Sequence, residues 1–271
     1  MPIDLAPLWD FQHPEVSEQR FRSALQGAAG DDVLILQAQI ARTFGLRRNF
    51  TAARDLLRSI EPGVAGAGPE ARVRFELELG RTYASATHPP ELLTPDAKQP
   101  ARAAYGKALE VARAAHLDAL AIDAMHMFAF VDPAPEDQLK WGQEALAVVE
   151  ASTQPDAKRW EGSIRNNVGY ALYQLGRYDE ALEQFEKAVT FREGGADAQA
   201  TRIAYWMVAW TLRALNRNDE ALGTQLRLER EGDAAGQPDP YVFEELEILY
   251  RNAGNEARAE YYANRRKTTA Q

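Results

Sequence analysis

Four histidines, forty acidic side chains and no cysteine make up the reactive inventory of this 271-residue chain. Without cysteine there is no disulfide, no thiolate metal ligand and no thiol nucleophile. His13, His88, His116 and His126 include no pair four residues apart, so a helical His-x-x-x-His zinc site is excluded. No Gly-x-Ser-x-Gly elbow and no Gly-x-x-x-x-Gly-Lys-Ser/Thr phosphate loop occurs. Gly66-Ala67-Gly68-Pro69-Glu70-Ala71 matches a degenerate dinucleotide fingerprint in form. It follows a helical stretch instead of a strand, and its expected role is a loop between helices. His126, with Asp123 one turn earlier on the same helix, keeps a metal or acid-base role open. The competing reading is a buried histidine, oriented by the carboxylate and packed between helices. An enzyme would rest on these two residues alone, so no enzyme, metal or cofactor is expected.

The elements that must position such side chains are helices. Hydrophobic residues make up 45% of the chain and charged residues 26%, the balance of a folded soluble protein. No apolar run approaches the ~20 residues of a membrane-spanning helix. Met1 to Asp10 has neither a basic flank nor a long apolar core, which argues against a secretory signal and for the cytosol. Forty acidic against 31 basic residues give a net charge of -9, which disfavours charge-driven binding to nucleic acid or anionic membrane. The most strand-like run, Val33-Leu34-Ile35-Leu36, continues into Ala38, Ile40 and Ala41 and reads as the start of an amphipathic helix. Elsewhere apolar residues recur at steps of three and four, separated by Gly, Pro and Asn-Asp clusters.

The clearest internal unit runs from Asn166 to Ala188: Val168-Gly169-x-x-Leu172, a Gly176-Arg177-Tyr178 turn, then Ala181-x-x-x-Phe185-x-x-Ala188. This strongly resembles the tetratricopeptide repeat family. Small Gly169 and Ala181 let two antiparallel helices approach, Gly176 suits the turn, and Phe185 would fill the gap against the next repeat. Anchoring the frame on the residue that opens the second helix gives Ala53, Ala101, Gln138, Ala181, Ala221 and Ala259. Their separations, roughly 37 to 48 residues, exceed the family unit of about 34. Part of the excess is an insertion holding His88-Pro89-Pro90 and Thr94-Pro95, and the first helix of the fourth unit is expected to start early, near Pro155-Asp156. The third unit departs most, with Met125-His126 in place of apolar-Gly and Gln138 in place of the small residue. The expectation is an all-α, right-handed superhelical solenoid of about six repeats. Residues 1–30 would form an N-terminal arm and capping helix, and 31–271 one continuous domain.

The resemblance implies a concave groove lined by the first helix of each unit, where positions i, i+4 and i+7 share a stripe. That mapping places Ala38, Arg42, Leu77, Arg81 and Ala84 in the groove, then Asp123, Met127 and Phe130. Asn166, Tyr170, Tyr173, Trp206, Trp210 and Arg213 follow, and Glu244, Ile248 and Arg251 end the series. Trp206 and Trp210 either form an open aromatic shelf or are buried by a neighbouring helix. Arginines, an asparagine pair and an aromatic shelf suit a peptide that presents a carboxylate and a bulky apolar side chain. His13-Pro14-Glu15 marks a helix start carrying Phe21 and stopping at Gly27. Leu5, Leu8, Trp9 and Phe11 lie ahead of it on an extended arm. The arm either caps the exposed end of the repeats or occupies the groove until a partner displaces it. The leading functional expectation is a cytoplasmic scaffold that binds a protein or peptide. The alternative is a regulator that senses a small molecule or signalling peptide in the groove.

Overall fold

The computed structural model describes residues 3–269. These residues form helices joined by short connections, with no strand among them. The chain divides into two compact units, Met1–Trp160 and Glu161–Gln271. The first contains α1 (Pro14–Leu25), α2 (Asp31–Leu46), α3 (Phe50–Val64), α4 (Pro69–Arg81), α5 (Pro95–Ala114), α6 (Asp118–Met127), α7 (Pro135–Ala151) and the single turn α8 (Pro155–Lys158). The second contains α9 (Glu161–Gln174), α10 (Tyr178–Glu193), α11 (Ala198–Ala214), α12 (Asn218–Ala234), α13 (Pro240–Asn252) and α14 (Glu256–Thr269). Among the described residues these make six antiparallel hairpins: α2/α3, α4/α5 and α6/α7, then α9/α10, α11/α12 and α13/α14. No helix among them is long and apolar enough to cross a membrane.

Local chemistry accounts for the boundaries. Proline occupies the first helical position of α1, α4, α5, α7, α8 and α13, where its missing N–H costs nothing. The Asn49, Thr94, Asp197 and Asp239 side chains accept hydrogen bonds from the first-turn amides of α3, α5, α11 and α13. Gly176 leaves α9 in the left-handed region at φ 73°. Arg48 and Asn216 make the same exit after α2 and α11 at φ 60° each, and His116 does so after α5 at φ 53°.

The hairpins close because a small residue on one helix receives a large one from the other. Phe185 of α10 is fully buried against Gly169 of its own hairpin, so the ring expected to face the next repeat fills the gap within its own. Tyr105 packs on Gly80 in the same way between α5 and α4. Ala41 and Leu57 share one core cluster in the α2/α3 hairpin. In the third hairpin the frame puts His126 where the small residue belongs and Gly142 where the ring belongs. The ring contact here is instead Phe128 stacked on Trp141 of α7, centroids 4.1 Å apart.

The Pro89-Pro90 insertion is anchored to the hairpins, and two expected helix starts need correction. His88 stacks on Phe50 with centroids 3.8 Å apart, and its ring nitrogens lie 3.0 Å from Ser85 Oγ and 3.3 Å from the Thr82 carbonyl. The helix that follows starts at Pro95, about a turn and a half before Ala101. Pro155 opens only α8, and the first helix of the next hairpin begins afresh at Glu161.

The arm is packed, not extended. Ala6–Leu8 form a 3-10 turn, and Leu5 is buried in a cluster with Phe21, Leu36 and Ile40. Ser17 Oγ accepts from the Asp10 amide at 2.7 Å and donates to the Asp10 carbonyl at 2.9 Å. α1 ends at Leu25, two residues before Gly27, and packs on α2.

Candidate functional site

In the second unit the first helices of successive hairpins meet, α9 on α11 and α11 on α13. Four of the expected groove residues come together there as a row of rings. Trp210 stacks on Tyr173 at 3.4 Å between centroids, on Tyr170 at 6.1 Å and on Trp206 at 5.7 Å, each pair 17° from parallel. Tyr241 of α13 meets Trp206 edge-on at 6.3 Å and extends the row. Both tryptophans are partly exposed, neither being enclosed by a neighbouring helix. Trp206 and Tyr241 also line a cleft of about 700 Å³ walled by Ile203, Met207 and Pro240. Tyr170, Ile203 and Tyr241 are 43%, 50% and 65% exposed, an unusual cluster of apolar surface. The Trp206 Nε1–H is buried and has no acceptor.

Arg213 flanks this row but is already committed. Its Nε and Nη2 donate to the two oxygens of buried Glu245 at 2.6 and 2.8 Å. That bidentate bond raises the guanidinium pKa, against the opposing effect of burial. Tyr173 has its phenol pushed up by burial, with Arg213 opposing. Asn166 lies one turn before Tyr170 on α9 and is half-buried.

In the first unit, Arg42, Arg81, Asp123 and Met127 line one cavity of about 220 Å³, together with Glu78, His126, Phe130 and Trp160. Ala38, Leu77 and Ala84, placed on the same stripe by spacing, are core residues. Arg81 is the hub of the charged cluster: its Nη1 donates to Glu78 Oε1 at 2.6 Å and its Nη2 to Asp123 Oδ1 at 2.5 Å. Burial raises the Asp123 carboxyl pKa, but the charges of Arg81 and Arg42 outweigh it and hold the group below the ordinary carboxylate range. Arg42 reaches Glu78 only at 3.7 Å, while the mutually stacked rings of Trp9 and Phe11 lie 5.3 and 5.4 Å from its guanidinium carbon. The arm therefore both packs on α1 and reaches an expected groove residue.

His126 is half-buried, with Phe130 edge-on at 6.3 Å and Trp160 tilted at 5.7 Å. Burial lowers its pKa, Asp123 opposes, and the two arginines reinforce the lowering. With Asp123 bound to Arg81, the pair has the environment of packed polar side chains. Among the described residues no group of three or more His, Asp or Glu could hold a metal ion.

Sequence spacing did not assign Tyr241, Ile203, Glu245, Trp160 or Trp9 to these sites. Tyr241 at the start of α13 and Ile203 on α11 each lie one turn before the first mapped position of the stripe, so extending the same face by three residues would have found both. Trp160 sits in the break between α8 and α9, which no periodicity reports.

The tetratricopeptide repeat family model matches residues 160–227. No curated protein matches the chain. Among solved structures, a signal transduction ATPase with numerous domains and a tetratricopeptide repeat sensor from Pyrococcus horikoshii is similar over 94% of this chain, at 14% identity and a TM-score of 0.71. The chain spans 39% of that protein's length. The apo form of RapI is similar over 96% of this chain and 72% of its own, at 13% identity and a TM-score of 0.67. NprR in complex with its cognate peptide NprX is similar over 98% and 75%, at 12% identity and a TM-score of 0.57. At such identities the likeness concerns the fold. The tetratricopeptide repeat is thus recognised at residues 160–227, with helical hairpins before and after it, and the solved structures similar to the chain's fold are repeat solenoids.

Proposed function

We propose that the protein is a peptide-binding scaffold, and that the aromatic row of its second unit receives an extended segment carrying a bulky apolar side chain. One observation carries this reading: parallel, partly exposed rings of Tyr173, Trp210 and Trp206 run into an apolar cleft flanked by exposed Ile203 and Tyr241. A monomeric protein rarely leaves so much contiguous apolar surface unless something binds it. Rigid aromatic side chains are also the ones that dominate interface energetics. The side chain would enter the cleft beside Trp206, and a small tilt of that indole would give its N–H a peptide carbonyl as acceptor. The complex of NprR with its peptide is a precedent for peptide binding by a similar fold.

A carboxylate on the partner takes second place in this reading. Arg81 and Arg213 are each held by internal carboxylates, which an incoming carboxylate would have to displace. The test is selection of binders from a random peptide library by the wild-type chain. The selected peptides should carry a conserved large apolar residue, and Trp206→Ala and Trp210→Ala should each weaken them by at least ~1–2 kcal/mol while retaining the helical spectrum. Peptides that bind the two variants as tightly as wild type would refute the site.

A further inference from the structure

We infer that the cavity of the first unit is a binding site for a free α-amino acid with a large apolar side chain. The proposal does not depend on the aromatic row of the second unit. The cavity measures about 220 Å³, the scale of one such amino acid. Its charged groups balance: Arg42 and Arg81 stand against Glu78 and Asp123. Arg81 spends its two terminal nitrogens on the two carboxylates and so fixes them in place. One group of each sign is left under-satisfied. Among the described residues Arg42 makes its one ion pair with Glu78, and that is loose at 3.7 Å. Glu78 is 2% exposed, and its Oε2 atom is buried with no donor. An unpartnered buried carboxylate oxygen is costly, and it calls for a donor that the fold does not supply.

A zwitterion answers both deficits at once. Its carboxylate would take Arg42, and its ammonium would take Glu78 once that side chain turns its enclosed Oε2 to the cavity, with Asp123 adding to the negative side. A simple anion would gain Arg42 but face two carboxylates. A simple cation would gain Glu78 but face two guanidinium groups. Met127, Phe130 and Trp160 complete the lining and give an apolar side chain its place.

The experiment is calorimetric titration of the full chain with L-phenylalanine and L-leucine, beside phenethylamine, 3-phenylpropionate and the dipeptide phenylalanyl-glycine. One or both amino acids should bind, and the amine, the acid and the dipeptide should bind at least about tenfold more weakly. Glu78→Gln should lower amino-acid affinity by about tenfold with the helical spectrum unchanged. Because Glu78 also holds Arg81, a second variant outside the charged network, Phe130→Ala, should weaken phenylalanine by about fivefold or more. The proposal is overturned if neither amino acid gives heat or raises the melting temperature at millimolar concentration. It is equally overturned if phenethylamine, phenylpropionate or the dipeptide binds as tightly as L-phenylalanine, or if Phe130→Ala binds it unchanged.

Discussion

Replacing Gly169 by alanine adds one methyl group inside α9, and its consequence follows from where that carbon must go. In an open helix position the change stabilises by about 1 kcal/mol, because glycine loses more backbone entropy on folding. At Gly169 the new carbon would lie 2.6, 2.8 and 2.9 Å from three ring atoms of Phe185. Comfortable carbon contacts are about 3.5–4.0 Å, so the ring must retreat by most of an ångström. Phe185 is fully buried and has nowhere to go without moving α10. Overpacking of this kind costs about 1–3 kcal/mol, and the upper half of that range applies to an enclosed ring. Subtracting the helix-propensity gain leaves a net loss of about 1–2 kcal/mol, or a melting temperature lower by roughly 3–6 °C. Urea denaturation followed by far-ultraviolet circular dichroism measures it. Gly106→Ala in α5 and Gly223→Ala in α12, where an added carbon meets nothing within 4 Å, are the controls and should stabilise. Gly169→Ala combined with Phe185→Leu should recover at least ~1 kcal/mol relative to additivity. Gly169→Ala as stable as wild type, or the controls destabilised as much, would refute the small-against-large account of hairpin closure.

Further outcomes follow from the charged cluster and the turns. Arg81→Met leaves Glu78 and Asp123 buried without their shared cation, and should cost about 3–5 kcal/mol in urea denaturation. Burial lowers the imidazole pKa of both His126 and His88 below the unfolded value of about 6.5. Each therefore contributes stability that is complete above that value and is lost as pH falls through the folded one, so stability should decline on acidification below about pH 7. His126→Gln should flatten that decline in pH-dependent denaturation. Arg48→Gly and His116→Gly relieve left-handed backbone at φ 60° and 53°, and each should raise stability by about 1 kcal/mol.

Much of the fold is legible in the chain because each hairpin repeats a local rule. Steps of three and four fix the helices, proline marks where they begin, and Gly169 with Ala181 announces close approach. The candidate sites were legible only as faces. Spacing put Tyr170, Tyr173, Trp206 and Trp210 on one stripe, and their rings do stack. It likewise put Arg42, Arg81, Asp123 and Met127 on the stripe, and all four line one cavity. Periodicity within a helix carries no information about which side chains meet across helices. That Arg81 of α4 reaches Asp123 of α6, or that Trp9 and Phe11 reach Arg42, depends on packing between elements distant in sequence. His88 was hidden for a related reason, since its anchor is Phe50 and lies outside its own insertion.

The most direct test of the aromatic row as the binding face is fluorine nuclear magnetic resonance of the chain carrying 5-fluorotryptophan, whose five indoles report separate places in the molecule. Trp9, Trp141 and Trp160 belong to the first unit, Trp206 and Trp210 to the row. Titration with a library-selected peptide should move or broaden the Trp206 and Trp210 resonances at the stoichiometry of binding and leave the Trp141 resonance in place. A saturating peptide that moves only first-unit resonances, with Trp206 and Trp210 unchanged, would contradict the account.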